Sequence, residues 1–297
     1  MYKTYRKNGY NVMYYRFDSI SEFVDYLKNA PVQHYAFDRL ASETGSYGFT
    51  QTSSLEEALD LIKFGYHEDF EKLVQLKLKL EKYIKMSKKR NKQFNDYIGF
   101  APDVKAYLEG NPLSMLNKKS EARKKVNVYM NTSFYGNTSK EAIFNRGAIV
   151  LSMIEILENM GFSVDLHLFE MSTVDTMMHF SDFVLKSENE RMNIQKLYFP
   201  LCHPSWIRRL NFRLIEVTPD ITSSWSNGYG RPSDLSTMKK VIDLDKNDII
   251  IPTIEELNIR GDNLVDDANS LFDYVNRIDG KEFTLDRVEE SPKVYRR

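Results

Sequence analysis

The stretch Asn131-Thr132-Ser133-Phe134-Tyr135 follows a short β-like run, Val126 to Met130, and precedes a long apolar segment. Side-chain oxygens at a strand end suit a divalent cation, which takes hard oxygen ligands. A helix N-terminus beside them suits a phosphate. The same residue types also turn chains and cap helices. Two carboxylates extend the set: Glu170 closes the run SVDLHLFE, and Glu216 lies near the end of FRLIEV. If both runs are strands of an open parallel sheet, their C-terminal ends converge on a ligand crevice. Ser133, Glu170 and Glu216 could there hold Mg²⁺ and support phosphodiester cleavage. Equally, such carboxylates cap helices or meet arginines such as Arg208, Arg209 and Arg213. Asp220 is a further candidate, although TPD reads as a turn.

Other residues offer weaker chemistry. Trp206 beside three arginines suits base stacking or phosphate contact, but helical spacing turns Trp206, Ile207 and Leu210 inward and sets the arginines at the rim. Cys202 and His203 are chain neighbours, which seldom point at one substrate. The five histidines lack metal-ligand spacing. SSWSNGYGRPSD contains Gly228 and Gly230 but no phosphate-cradling motif; it reads as a recognition loop or a plain turn. Between Lys82 and Lys125 twelve Lys or Arg face four acids, although the whole chain carries a net charge of −1. Lys88, Lys89, Arg90, Lys92, Lys118, Lys119, Arg123, Lys124 and Lys125 can contact phosphates, with Phe94, Tyr97 or Phe100 stacking on unpaired bases. A solvated helix and linker would carry the same charge.

The first hundred residues read as helical with little β signal. DSISEFVDYLKNAP starts at an Asp or Ser cap and stops before Pro31. TSSLEEALDLIKFG runs from a Ser cap to Gly65, and a third helix from His67 loses its apolar face as it enters the lysines. GFAPDVKAYLEGNPLSM reads as a connector. From Lys125 strands alternate with helices. Thr138 and Glu141 fit a capping box opening a helix through Met160, apolar on most sides. Gly161 ends it. Two strands joined by that helix make a βαβ unit and a parallel sheet. HFSDFVLK, FRLIEV and NDIIIP read as further strands, HPSWIRRLNF and LVDDANSLFDYVNRI as helices.

At 297 residues the chain fits a core domain plus an appended region. One cysteine permits no intrachain disulfide and no multi-cysteine zinc site. No run approaches the roughly 20 apolar residues a membrane span needs, and the N-terminus lacks the apolar core of a signal peptide. A cytoplasmic protein with no membrane partner is expected.

Residues 126 to 278 resemble a von Willebrand factor A-type, Rossmann-like domain: a first strand ending in a Thr-Ser loop, a long buried helix with RGA near its start, then LENMGFSVDLHLF. That family carries a metal motif, Asp-x-Ser-x-Ser, on the loop after its first strand. Its positions fall on Asn131, Ser133 and Tyr135, of which only Ser133 matches, so the resemblance implies a degenerate metal motif. The whole chain is also similar to an uncharacterised phage and prophage family through SLEEALDLIKFG, FNRGAIVLSMIEILENMGFSVDL and YFPLCHPSWIRRLNFRLIE. This implies an α/β core and imports no activity.

The expected architecture is a helical N-terminal region with a basic connector (1–124), a mostly parallel A-type α/β domain (125–280) and a tail (281–297). The expected function is non-catalytic binding of a host or phage protein through Asn131, Ser133, Tyr135, Glu170 and Glu216. The runner-up is DNA or RNA binding by the lysine-rich segment. A Mg²⁺-dependent nuclease stands third.

Overall fold

A β-hairpin opens the chain. Tyr2–Lys7 (β1) and Tyr10–Phe17 (β2) pair antiparallel across Asn8 and Gly9, whose φ angles are +48° and +87°. Asn-Gly adopts this left-handed pair at little cost, and its twist matches the flanking strands. The hairpin corrects the reading of this region as mainly helical with little β signal. The structure is a computed structural model. It describes every residue except 36–38, 68–69, 87–92, 100, 119–123, 191, 220, 222–224, 226–227, 242–247, 279–282 and 290–297.

Helices follow where apolar residues recur every three or four positions. Ile20–Asn29 (α1) is capped by the Ser19 hydroxyl, which accepts from Glu22 N, and buries Phe23, Val24 and Leu27. Two single turns, Ala41–Thr44 (α2) and Tyr47–Thr50 (α3), lead to Leu55–Phe64 (α4), capped by Ser54 and ended at Gly65. Phe70–Leu80 (α5) ends before the lysines, and the chain becomes strand at Ile84–Met86 (β3). A small sheet is built from Gln93–Asp96 (β4), Ala101–Pro102 (β5) and, after Val104–Leu108 (α6), Met115–Lys118 (β6).

The centre of the molecule is Lys124–Asn131 (β7), Lys140–Asn159 (α7) and Phe162–Val174 (β8). β7 and β8 run parallel, Lys124 opposite Phe162 and Asn131 opposite Phe169, as the βαβ pattern requires. Met177–Lys186 (β9) returns antiparallel to β8. Ile194–Cys202 (α8) leads into a π-helical turn, Trp206–Asn211, and directly into Phe212–Glu216 (α9). FRLIEV is therefore helix, not strand: it continues a buried helical stretch. Arg231–Pro232 (β10), Leu235–Val241 (α10), Ile249–Ile251 (β11), Leu264–Asn276 (α11) and Phe283–Leu285 (β12) complete the chain.

The main sheet has the order β1-β2-β9-β8-β7-β11, with β10 paired to the far end of β8. β11 is parallel to β7 and β2 to β9, while β8–β9, β1–β2 and β10–β8 are antiparallel. The sheet is thus mixed rather than purely parallel, with parallel pairing running through β11-β7-β8 and β2-β9. It draws strands from both sides of the 124/125 boundary. β12 pairs with β3, tying the end of the chain back to its first half. One sheet face, with Val128, Met130, Val164 and Leu166, packs on α7; the other, with Phe169, Met171 and Phe180, meets Met238 and Val241 of α10. Among the described residues no helix is long and apolar enough to cross a membrane.

α7 lies against α8 at unusually short range. A Cβ on Gly147, the glycine of RGA, would stand 2.1 Å from the Leu201 carbonyl oxygen and 2.8 Å from Cys202 Sγ. Only glycine lets the two backbones approach so closely.

Candidate functional site

β7 stops at Asn131 whereas β8 continues to Val174. Beyond the last paired residues, side chains carry the ladder on. Thr132 donates from both its backbone N–H (2.8 Å) and its hydroxyl (3.0 Å) to the Phe169 carbonyl. The Ser133 hydroxyl accepts from Met171 N (2.9 Å) and donates to Met171 O (3.2 Å). Asn131 accepts from Ser133 N through Oδ1 and donates from Nδ2 to Ser233 O. The NTSFY oxygens are thus spent on joining strand to helix, the structural role those residue types also serve. Helix α7 is capped by Ser139, which accepts from Ala142 N, rather than by Thr138, whose hydroxyl donates to Glu255.

This junction forms one wall of a cavity of about 330 Å³. Phe134 of the junction and the rings of Phe49, Phe212 and Tyr229 line it, the last two stacked with centroids 4.0 Å apart. Arg39, Arg208 and Arg231 line it too, and Glu170 and Ser172 of β8 face into it. β10 closes one side by pairing with β8 at Ser172 and Thr173. Gly230 (φ +78°) makes that closure possible: a Cβ there would come within about 3 Å of both the Trp225 ring and Ser172.

Arg208 is buried and its guanidinium lies 4.2 Å from the Phe49 ring centroid and 5.1 Å from that of Phe134. It donates to the carbonyls of Phe49, Gly136 and Thr138, and burial lowers its pKa to about 10. Arg209, also buried, grips residues 42–52. Both findings correct the expectation of rim arginines: residues 41–52 wrap the outer side of the helix and close it from water. Trp206, Ile207 and Leu210 do point inward, as their spacing implies.

The predicted carboxylates part company. Glu170 lines the cavity but lies mid-strand, not at a strand end, and His179 Nδ1 holds its Oε2 at 3.2 Å. Glu216 sits on helix α9, fully buried, and binds Ser42 through its backbone N–H and hydroxyl. It reaches the cavity only through the Tyr229 hydroxyl, which donates to it at 2.6 Å. Burial raises the pKa of Glu216 in spite of these bonds, and that of Tyr229 as well. The three-residue Mg²⁺ constellation therefore does not assemble: Ser133 is engaged by Met171, and Glu216 stands behind Tyr229. Among the described residues no group of three or more His, Cys, Asp or Glu converges as a metal site.

Of the proposed partner loop, Ser133, Tyr135 and Glu170 line the cavity, while Asn131 and Glu216 support it from behind. Phe49, Phe212, Arg39 and Ser172 carry no sequence signal of their own. Tyr229 and Arg231 belong to the glycine-containing loop already marked as a recognition candidate. Of the lysine-rich set, Lys88, Lys89, Arg90, Lys92, Lys119 and Arg123 lie outside the described residues, as do Phe100 and Asp220. Lys118 ends β6 and Lys124 begins β7. Lys125 is held by Asp165 (2.7 Å) and Glu188 (3.2 Å), so its charge is compensated. Cys202 is buried, and that burial raises its thiol pKa well above the usual value, the opposite of an activated nucleophile.

The cavity has apolar walls and few convergent polar groups, the usual makeup of a ligand pocket. No curated protein and no solved structure matches the chain. The model of one family, described as "Domain of unknown function (DUF7192)", matches residues 3–276. That match spans the hairpin, the helices and every wall of the crevice, and so the chain belongs to the DUF7192 family.

Proposed function

We propose that this chain is a non-catalytic binding protein whose crevice at the end of β7 receives an anchoring group of a protein partner. The anchor is an aromatic side chain with acidic neighbours. The observation that carries this reading is the cavity of about 330 Å³ with aromatic walls, lined by three arginines and, among its described lining residues, by a single acid, Glu170. Aromatic side chains bring the largest apolar area for one residue and dominate the energy of interfaces. Arg39 and Arg231, both exposed, attract acidic neighbours and speed their encounter. The β7–loop–α7–β8 order supports an A-type core as the scaffold, with its strand-end loops as the presented surface. The resemblance to phage and prophage proteins makes a host or phage protein in the cytoplasm the partner class.

Calorimetric titration of short acidic peptides tests the reading. Peptides with a central aromatic residue bind, and those with alanine in its place do not. The double variant Arg39→Glu, Arg231→Glu weakens binding at least about tenfold at low salt and changes little at high salt, as screening requires. Aromatic and alanine peptides of equal affinity would sink it.

One observation favours nucleic acid as a second reading. Tyr97 and Tyr107 are 71% and 70% exposed on the small sheet region inside the lysine-rich stretch. Exposed rings beside cations suit unpaired bases. Retention of single-stranded DNA or RNA at 50 mM salt, lost steeply by 200 mM, would support it; no retention at low salt ends it.

A further inference from the structure

The sheet face opposite α7 is packed by α10, a helix of seven residues, through Met238 and Val241. At the margin of that small cluster three tyrosines from three strands stay partly exposed: Tyr5 of β1, Tyr14 of β2 and Tyr129 of β7. With Phe169 and Phe180 they line a trough of about 500 Å³. Tyr14 stacks on Phe180, with ring centroids 5.3 Å apart and planes inclined by 11°. Rings gathered at a surface in this way mark a site of interaction.

Cations rim the same trough. Lys3 and Lys7 of β1 and Arg16 of β2 line it, against one acid among its described lining residues, Asp182. That acid is already engaged: its Oδ1 lies 3.0 Å from His167 Nδ1, and its Oδ2 accepts from Arg16 at 3.3 Å and from the Tyr14 hydroxyl at 3.4 Å. The Lys3 ammonium meets no carboxylate among the described residues. It stands 4.9 Å from the Tyr14 ring centroid and 5.6 Å from that of Tyr5. Lys3 lies opposite Tyr14 in the hairpin register, so Arg16, two residues further on, is its diagonal neighbour on the same face. Lys3 and Lys7 are four residues apart, about 13 Å along the strand. One phosphate does not span that distance, whereas successive phosphates of a nucleic-acid strand do.

We propose that this trough binds single-stranded nucleic acid, with bases stacked among Tyr5, Tyr14 and Tyr129 and phosphates on Lys3, Lys7 and Arg16. A sheet that offers rings to bases and cations to the backbone suits a single strand, because every base has a flat face to stack. A duplex buries those faces against one another and offers the rings nothing. A purely acidic peptide would satisfy the lysines and leave the tyrosines in water. The trough shares no described lining residue with the crevice and uses none of the lysines between 82 and 125.

Fluorescence anisotropy of a labelled oligothymidine strand, titrated with the full chain, tests the site. Binding is expected at about 50 mM salt and falls steeply by about 200 mM. Lys3→Glu, an exposed substitution on the edge strand, weakens it about tenfold or more and flattens its salt dependence, as loss of a phosphate contact does. Tyr14→Leu weakens it about tenfold and keeps the salt dependence, as loss of a stacked ring does. If that variant fails to fold, Lys3→Glu and competition by a duplex of equal length decide together. A duplex that competes as well as the unlabelled strand overturns the proposal. Polyglutamate or thymidine monophosphate that competes equally well assigns the trough to an acidic protein or a free nucleotide, and overturns it too. Binding lost in the triple variant Lys88→Glu, Lys89→Glu, Arg90→Glu but unmoved by Lys3→Glu places the strand on the lysine-rich segment instead. Absence of binding at the lower salt ends the proposal outright.

Discussion

Arg209 is fully buried and forms no ion pair with a carboxylate among the described residues. Its guanidinium instead donates to the carbonyls of Ser42, Glu43, Gly45 and Thr52 and to the hydroxyls of Thr50 and Thr52. A planar fork with five donors suits several diverging acceptors, and an ammonium does not. Arg209→Lys is therefore expected to cost about 3 kcal/mol, as loss of a buried charged donor does; urea unfolding measures it, and a loss under 1 kcal/mol would refute the clamp. His203 makes a second prediction. It is buried between Tyr66 and Phe199, accepts from Ser205 N at Nδ1, and burial lowers its pKa to about 4. The unfolded chain then takes up the proton more readily than the native one, so stability is highest above pH 6.5 and is lost as pH falls towards about 4. The loss from this group is on the order of 3 kcal/mol. His203→Gln flattens that slope in unfolding experiments at stepped pH; an unchanged slope would assign the effect elsewhere.

At the scale of elements, the α7–α8 contact turns on one missing side chain. The Leu201 carbonyl already occupies the place of a Gly147 Cβ, and backbone cannot rotate away as a side-chain tip can. Gly147→Ala should destabilise by about 1–3 kcal/mol through forced separation of the helices. Replacing an open helical glycine by alanine would instead stabilise by close to 1 kcal/mol. The sign of the change in Tm therefore tells the two cases apart. The hairpin gives the converse case. Gly9 has open space around its Cβ position but φ +87°, so Gly9→Ala costs about 1–2 kcal/mol from backbone strain alone. A destabilisation no larger than that of an exposed loop substitution would place the turn in another conformation.

The whole molecule is stitched across its length. β2 pairs with β9 over seven residues. Phe17 stacks on Phe183, and Phe23 meets both Phe183 and Trp206 edge-on or tilted. α5 and α4 contribute to the same continuous core as α7 and α8. A fragment spanning 125–280 would expose the β9 edge and the helical faces that α4 and α5 cover. It is expected to show no cooperative thermal transition by circular dichroism and to aggregate, as bare edges and large apolar patches do. A sharp transition in that fragment would restore an independent second domain.

The periodicities alone determined the caps and buried faces of α1 and α4, the length of α7, the strands β7, β8, β9 and β11, and the parallel β7–α7–β8 arrangement, because local spacing reports which face of an element meets the core. Asn8-Gly9 between two tyrosine-rich runs is also a readable hairpin signal. Tertiary structure decided the rest. FRLIEV has the composition of a buried strand, yet it continues a helix, since apolar runs of six residues fit either state and only packing arbitrates. The direction of β9 and the sheet's mixed order depend on which edges find partners. The crevice collects Phe49, Glu170, Arg208 and Tyr229 from four separate parts of the chain. No spacing rule links residues that distant, so their meeting is a property of the folded core alone.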